Sequence, residues 1–421
     1  METKVLLVGV DTGEEPDFER SMEELKSLAK AALKQPVGVI VQRMLSVNKA
    51  FYIGSGKVGE VKEYARECEA EEVVFDNALS PSQIRNLIQE LDLPVLDRTN
   101  LILDIFAIRA KTKEAKLQVE TARLQYMLPR LVGMRENLSR QGGTGGSMSN
   151  KGAGETKLEL DRRKIEHRIS ELKKELEAVS RTRDTMRKKR AQSGIPQVAL
   201  VGYTNAGKST VLNKLVQRFG EKEEKTVLEK DMLFATLETS VRCIRPESAK
   251  PFFLSDTVGF IHKLPHGLIQ AFHSTLEEVR EADLLVQVVD FSDEHYREQM
   301  QVTVETLKEL EAGGIPQIIV YNKADKCKME NIPKTDGNHI YMAAGENIGI
   351  EELAELILKQ VYAGCSEVTF LIPYDKGAVS SYLMEHAQIK EIKYCEEGIE
   401  LRAVCRKQDA SRYEMYQKDR N

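Results

Sequence analysis

A nine-residue run near the middle of the chain has the residue types and the spacing of a loop that binds phosphate. Residues 202–210 read GYTNAGKST and follow the apolar segment Val198–Val201. Two glycines allow backbone N–H groups to turn inward around phosphates, Lys208 can reach the β and γ oxygens, and the Ser209 hydroxyl can bind Mg²⁺. A helix expected from Val211 onward would point its positive end at the same anion. This run predicts a nucleoside triphosphate site.

Two more motifs follow in the order that such a site needs, each at the end of a predicted strand. In Asp256-Thr257-Val258-Gly259, the aspartate can bind Mg²⁺ through water and the glycine N–H can sense a γ-phosphate. Asn322-Lys323-Ala324-Asp325 indicates guanine, because the Asp325 carboxylate can accept both N1–H and N2–H of that base. Adenine would leave the same carboxylate unpaired. Together the motifs predict a GTP-binding domain.

The remaining parts of this domain are less regular. Within Leu233–Leu237, Thr236 is placed to close on Mg²⁺ and the γ-phosphate when GTP is bound. The fifth motif usually reads Ser-Ala-x, but here it is Ala343-Ala344-Gly345, so we expect backbone amides to contact the base and nucleotide binding to be slightly looser.

Two side chains bear on the rate of hydrolysis. Phe260 stands where many GTPases carry a glutamine that orients the attacking water, so the free protein is predicted to be slow. Asn205 occupies the loop position where related GTPases help to hold a K⁺ that mimics an arginine finger. We therefore expect K⁺ near Asn205 to stimulate turnover, and a larger stimulation from a macromolecular partner.

The predicted site residues can be gathered by role. The expected catalytic residues are Lys208, Thr236 and Gly259, and the expected Mg²⁺ ligands are Ser209, Thr236 and, through water, Asp256. The expected nucleotide contacts are Gly202, Tyr203, Thr204, Asn205, Ala206, Gly207, Lys208, Ser209, Thr210, Phe234, Ala235, Thr236, Leu237, Glu238, Asp256, Thr257, Val258, Gly259, Asn322, Lys323, Ala324, Asp325, Ala343, Ala344 and Gly345.

Charge is distributed unevenly along the chain. The 421 residues carry a net charge of −5, but residues 105–195 contain 22 Lys and Arg against 11 Asp and Glu, so the remainder carries −16. A basic segment in an acidic protein favours docking on a polyanion, with an affinity that falls as salt rises. The alternative is a solvated helix surface without a specific role.

The basic segment has the pattern of two paired helices. Leucines recur at heptad positions from Leu117 to Leu131, and apolar residues do so from Leu158 to Val179, which predicts an antiparallel helical hairpin. The glycine-rich stretch 139–155 would be its tip loop. There we expect Arg140, Gly142, Gly143, Lys151 and Gly152 to contact RNA, although a plain flexible connector remains an alternative.

These patterns predict an α/β fold class with four regions. We expect an N-terminal α/β domain over residues 1–104, the basic hairpin over 105–195, a P-loop GTPase domain over 196–363 and a small βαββ domain over 364–421. The run 52–58, YIGSGKV, lacks the spacing of the first phosphate loop, so a turn leading into a helix is favoured there.

Cellular location can also be predicted. The sequence has no run of about eighteen apolar residues, no signal peptide and no C-x-x-C pair among its six cysteines. We therefore expect a cytoplasmic protein without a membrane span. We also expect the free protein to be monomeric.

Over nearly its whole length the chain resembles the HflX family of GTPases. The stretches that carry the resemblance are YIGSGKV (52–58), LSPSQ (79–83), DRTNLILDIFA (97–107), LQVE (117–120), LPRL (128–131), GETKLELDRR (154–163), FATL (234–237) and DTVGF (256–260). The resemblance implies that the protein binds the large ribosomal subunit and splits stalled or idle ribosomes under stress, with the tip entering near the peptidyl-transferase region.

One departure from the family pattern lies at the tip. Where the family usually has Arg-Gly-Pro-Gly-Glu, this chain has Lys151-Gly152-Ala153-Gly154-Glu155, which keeps the charge but loses the rigidity of proline. Two other functions stay open on the sequence: a GTP-regulated ribosome-assembly or RNA-maturation factor that does not dissociate mature ribosomes, and an N-terminal domain that uses ATP to remodel RNA.

Overall fold

The amino-terminal apolar segments form a parallel sheet in the computed structural model, which describes residues 2–13, 17–133, 150–220, 234, 240–246, 250–263, 273–327, 329 and 331–418. Its described strands are β1 (Thr3–Asp11), β2 (Lys34–Arg43), β3 (Glu72–Phe75) and β4 (Val95–Asp97), in the order β2-β1-β3-β4. Val5, Leu6 and Leu7 of the central β1 are fully buried, since helices cover both faces of such a sheet. The predicted N-terminal α/β region is confirmed.

The helices of this region begin where the sequence provides start signals. They are α1 (Phe18–Ala31), α2 (Ser55–Glu67), α3 (Pro81–Leu91) and α4 (Arg98–Arg109). Ser80 caps α3 through a reciprocal pair of hydrogen bonds with Gln83. Gly54 immediately precedes α2, so the run 52–58 leads into a helix, as expected. The predicted boundary between residues 104 and 105 falls inside α4.

The described chain separates into two units that differ from the four predicted regions. The first combines residues 1–180 with residues 230–238 and 261–275, and the second contains the remainder. In the first unit the aromatic ring of Phe234 packs edge-on against Phe106 of α4, with 4.8 Å between ring centroids. Phe234, an expected nucleotide contact, and the segment that follows Phe260 therefore group with the N-terminal unit.

A buried cluster of charges joins one of these segments to the N-terminal sheet. Asp76, which directly follows β3, is fully buried, and its carboxylate lies 2.6 Å from Arg98 and 2.6 Å from Lys263. Ser21 donates a hydrogen bond to the same carboxylate, and Arg98 also pairs with Glu24. Burial by itself raises the pKa of Asp76, but attraction to Arg98 and Lys263 outweighs burial, so the pKa lies below its ordinary value.

The helical hairpin is present in the described part of the basic segment. It consists of α5 (Lys113–Gly133) and α6 (Asn150–Gln192). Arg168 lies 3.0 Å from Glu120 and Lys113 lies 3.8 Å from Glu175, an order of contacts that makes the two helices antiparallel. Leu172 of α6 is fully buried. The predicted hairpin is confirmed where the structure describes it.

The tip of the hairpin differs from the prediction at its carboxyl side. Because α6 begins at Asn150, Lys151 and Gly152 lie in its first turn and not in a loop. Each glycine costs a helix only about 1 kcal/mol, which the long helix-forming run that follows can offset. Arg140, Gly142 and Gly143 lie outside the described residues.

The second unit is built on a larger, mostly parallel sheet. Its described strands, in the order β10-β11-β9-β8-β5-β7-β6, are β5 (Gln197–Val201), β6 (Ser240–Ile244), β7 (Phe252–Asp256), β8 (Leu284–Asp290), β9 (Gln317–Asn322), β10 (Lys334–Asp336) and β11 (His339–Tyr341). The helices are α7 (Lys208–Phe219), α8 (His273–Arg280), α9 (Tyr296–Glu309) and α10 (Ile350–Val361). This is the predicted P-loop architecture.

The base of α6 is fastened to α8 within the second unit by ion pairs. Arg187, which is 8% exposed, lies 2.6 Å from Glu277 and 2.5 Å from Glu281. Arg190 lies 2.6 Å from Glu278, whose side chain is also buried. These contacts fix the carboxyl end of the long helix beside the helix that follows Gly259 in the chain.

The carboxyl-terminal residues form a small sheet covered by helices. The elements are β12 (Cys365–Ile372), α11 (Gly377–His386), β13 (Gln388–Cys395), β14 (Gly398–Arg406) and α12 (Lys407–Arg412), with strand order β12-β14-β13. The predicted βαββ tail is confirmed, with one more short helix. Among the described residues, no helix combines the length and the apolar character needed to cross a membrane.

The charge cluster around Asp76 yields a prediction about stability. Asp76→Asn should lower the free energy of opening of the N-terminal sheet by about 3 kcal/mol, because Arg98 and Lys263 would keep buried charge without their shared carboxylate. Hydrogen exchange of β1 and β3 peptides in the full chain measures this change. Asp92→Asn is the matched control, since Asp92 is exposed and its left-handed backbone suits asparagine.

The same cluster sets the pH dependence. Because the pKa of Asp76 is lower in the folded state, the unfolded chain takes up the proton first as pH falls. The stabilisation is therefore complete at neutral pH and is lost below about pH 4. Unchanged exchange in Asp76→Asn at pH 7 would contradict the assigned role.

Candidate nucleotide site

The phosphate-loop motif forms a tight turn between β5 and α7. Gly202 and Gly207 have φ angles of 140° and 97°, and Asn205 has 62°. A Cβ on Gly202 would lie 2.2 Å from the carbonyl oxygen of Val288, and one on Gly207 would lie 2.3 Å from Nδ2 of Asn322. Both glycines are therefore required by backbone angle and by space, and the loop presents the concave backbone on which phosphate binds.

Lys208 lies at the centre of this loop. Its side chain is buried, and Nζ donates hydrogen bonds to the carbonyl oxygens of Gly202, at 3.0 Å, and Tyr203, at 2.7 Å. Burial lowers the pKa of Lys208 to about 8, although the nearby Asp256 carboxylate opposes that change. The ammonium group is thus held in place at an electrostatic cost that a bound phosphate would offset.

Two of the three predicted Mg²⁺ ligands are in contact. The Ser209 hydroxyl donates a hydrogen bond of 2.7 Å to Asp256, which is fully buried at the end of β7. A hydroxyl and a carboxylate beside a phosphate loop form the hard oxygen donor set that suits Mg²⁺. These residues fit the ion. Thr236, the third predicted ligand, lies outside the described residues, as do Ala235, Leu237 and Glu238.

Gly259 and Phe260 close against the phosphate loop through their backbone. The Thr204 amide donates to the Phe260 carbonyl at 2.8 Å, and the Phe260 amide donates to the Gly202 carbonyl at 3.1 Å. A Cβ on Gly259 would lie 2.8 Å from Thr204 and 3.0 Å from Nζ of Lys208. Only glycine fits here. The Phe260 ring is buried and apolar, so it offers no hydrogen-bonding group that could orient an attacking water.

The neighbouring Thr257 ties the Asp256 motif to β5, the strand that leads into the phosphate loop. Its hydroxyl is fully buried and donates a hydrogen bond of 2.6 Å to the carbonyl oxygen of Leu200 in β5. Val258 is also buried. In this structure both side chains pack in the core, so they orient the Asp256 and Gly259 motif.

The guanine motif is tied to the phosphate loop. Asn322 donates from Nδ2 to the carbonyl oxygen of Ala206 and accepts from the Ala344 amide, both at 3.0 Å. The Ala343 amide donates to Ile348. Of the three amides expected to contact the base, two are thus engaged inside the protein. Asp325 is exposed in the short turn that follows β9, where its carboxylate is accessible to a base.

Asp290 was missed by the sequence analysis. It ends β8, and its carboxylate lies 2.7 Å from Nζ of Lys323, which also donates to the Asn205 carbonyl at 2.9 Å. Asp290 therefore positions a guanine-motif lysine over the phosphate loop. Its place at the carboxyl end of a central strand was the available signal, because sites in such sheets collect at those ends.

The lowered pKa of Lys208 predicts proton uptake on nucleotide binding. Phosphates beside Nζ should return the pKa toward its ordinary value, so binding at pH 8.5 should take up more than about half a proton and weaken as pH rises further. Titration calorimetry of GDP binding in buffers of different ionisation enthalpy measures the uptake. At pH 7 the uptake by Lys208 should shrink, and a binding enthalpy independent of buffer at pH 8.5 would refute this linkage.

Models of three protein families match successive parts of the chain. A family described as "GTP-binding GTPase N-terminal" matches residues 19–107, "GTP-binding GTPase Middle Region" matches 109–190, and "50S ribosome-binding GTPase" matches 197–323. Among solved structures, a complex of SsGBP with GDP is 26% identical and covers 86% of this chain and 99% of that chain, with a TM-score of 0.46.

Relatives named GTPase HflX match along most of the chain. The protein of Caldanaerobacter subterraneus subsp. tengcongensis is 43% identical over 388 residues, covering 92% of this chain and 88% of that relative. The protein of Escherichia coli K12 is 36% identical over 400 residues, covering 94% and 91%. With the guanine-nucleotide site in place, these similarities show that the chain belongs to the HflX family of GTPases.

Proposed function

We propose that this GTPase binds the large ribosomal subunit and splits stalled or idle ribosomes under stress. The observation that carries the proposal is the continuity of α6, a helix of 43 residues that runs from the tip side of the basic hairpin to the nucleotide-binding unit. A nucleotide-dependent change near the base of such a helix can be transmitted along its length.

The surface of the hairpin supports an RNA partner. Arg163 and Lys164 expose about three quarters of their side chains, at 71% and 76%, and Lys173 and Lys174 are also exposed. Such cations can follow the phosphates of an RNA groove, with an affinity that depends steeply on salt. In this proposal Arg140, Gly142, Gly143, Lys151 and Gly152 make the tip contacts, and the protein acts in the cytoplasm as a monomer.

The proposed switch follows from the nucleotide site. Ser209, Thr236 and, through water, Asp256 would hold Mg²⁺, which neutralises charge on the β- and γ-phosphates. Lys208 binds the same phosphates, and the Gly259 amide senses the γ-phosphate. With GTP bound, these contacts fix a ribosome-competent arrangement, whereas GDP relaxes it, so hydrolysis resets the factor.

Cosedimentation with isolated large subunits tests the partner and the switch together. Binding should be stronger with a nonhydrolysable GTP analogue than with GDP, and should fall steeply between about 50 and 200 mM salt. Replacing residues 139–149 by a short neutral linker should abolish most of the association while leaving GDP binding intact. Undiminished association of that variant would contradict the proposed arm.

Sucrose-gradient profiles of mature ribosomes then separate splitting from assembly. With the GTP analogue, wild-type protein should convert whole ribosomes into subunits in one round and remain bound. Association with subunits that leaves whole ribosomes intact would instead support the assembly or maturation role.

Hydrolysis should depend on the monovalent cation. Asn205 is exposed at the edge of the phosphate loop, where a side-chain oxygen can help to hold K⁺. We expect turnover several-fold faster in K⁺ than in Na⁺, and we expect Asn205→Gly to remove the difference without straining the left-handed backbone. Phosphate release under matched ionic strength measures the ratio, and equal wild-type rates in the two salts would eliminate K⁺ as a cofactor.

A further inference from the structure

Thr204, the third residue of the phosphate loop, carries a hydroxyl that the protein does not use internally. The residue is 5% exposed, and its Oγ1 is buried without a hydrogen-bond partner among the described residues. Its backbone, in contrast, is held firmly by the hydrogen bond from its amide to the Phe260 carbonyl. Buried hydroxyls are usually satisfied, so one left over in a binding loop points to a ligand.

The side chain of Thr204 lies beside two groups that bind the γ-phosphate. The point where a Cβ of Gly259 would stand lies 2.8 Å from Cγ2 of Thr204 and 3.0 Å from Nζ of Lys208. The methyl group of Thr204 therefore meets the Lys208 ammonium group and the Gly259 backbone at one place, and rotation about the Cα–Cβ bond would bring the hydroxyl to it. Lys208 and the Gly259 amide are the two groups that meet the γ-phosphoryl group in proteins with this loop.

The chemistry of the site leaves a role for a further polar side chain. The Phe260 side chain is apolar and buried where a glutamine often acts, so the residue after Gly259 contributes no side-chain donor. A threonine hydroxyl can donate to a phosphoryl oxygen, and such a hydrogen bond to a charged group is stronger than one between neutral groups. GDP has no γ-phosphoryl group and would leave the hydroxyl unpaired.

We propose that the Thr204 hydroxyl donates a hydrogen bond to the γ-phosphoryl group of GTP, and so contributes both to hydrolysis and to the discrimination of GTP from GDP. In the reaction the water oxygen forms a bond to the γ-phosphorus while the bond from that phosphorus to the β–γ bridging oxygen breaks, so that GDP leaves with the electron pair and the proton lost by the water passes to the released phosphate. Thr204 transfers no proton. It holds the transferring group and stabilises the charge on its oxygens.

Two variants of Thr204 separate this role from a role in folding. Thr204→Val keeps the shape but removes the hydroxyl, and we expect kcat for GTP to fall about 10- to 100-fold. The preference for a nonhydrolysable GTP analogue over GDP should fall by about tenfold or more, while the affinity for GDP stays unchanged. Since an unsatisfied buried hydroxyl is removed, the nucleotide-free Val variant should melt at the same temperature as wild type or higher.

A second pair of variants keeps the test decisive if valine does not fit. Thr204→Ser and Thr204→Ala both lose the methyl group and differ only in the hydroxyl, so Ser should retain most of the activity that Ala loses. Thr303→Val is the matched control, because Thr303 is a buried threonine of α9 whose hydroxyl bonds to the carbonyl of Gln299. Its kcat should equal that of wild type. Wild-type hydrolysis by Thr204→Val, or equal loss in Ser and Ala, would overturn the proposal.

Discussion

The nucleotide site depends on one unfavourable burial, that of the Lys208 ammonium group. Two backbone carbonyl oxygens accept hydrogen bonds from this group in place of water. The lowered pKa of Lys208 reflects the free-energy cost of removing the charged group from water. Gly202 and Gly207 make the loop that delivers these carbonyls, and Asn322 fastens the loop to the guanine motif. The protein thus maintains a buried positive charge that a bound anion would stabilise, and this suits the phosphates of a guanine nucleotide.

Two chain segments link this centre to the N-terminal unit. Phe234 packs on Phe106, and Lys263, only four residues after Gly259, pairs with Asp76. Phe234 was expected to contact the nucleotide and Lys263 follows the motif that ends at Gly259, but both residues belong to the first unit. Gly259, which we propose as the γ-phosphate sensor, is four residues from Lys263, so a rearrangement there would have a short covalent path to the N-terminal sheet.

Sequence reasoning identified the features that local rules determine. The strands that precede the three nucleotide motifs and the hairpin of α5 and α6 follow from apolar periodicity, and the phosphate loop follows from its glycines. It missed Asp290 and the cluster around Asp76, because their partners are distant in sequence and are brought together only by the sheets. The predicted tip loop extends to residue 155, whereas the structure begins α6 at Asn150. Gly152 and Gly154 do not prevent the helix, because the rest of its 43 residues stabilise it.

The cluster at Asp76 also bears on what the N-terminal sheet can bind. In a sheet of order β2-β1-β3-β4, the connections diverge between β1 and β3, and open parallel sheets commonly bind small molecules at the carboxyl ends of such strands. Here Asp76, at the end of β3, already receives the side chain of Lys263. The ammonium group of Lys263 therefore already lies at this end of the sheet. An external nucleotide could bind there only by competing with Lys263 for Asp76.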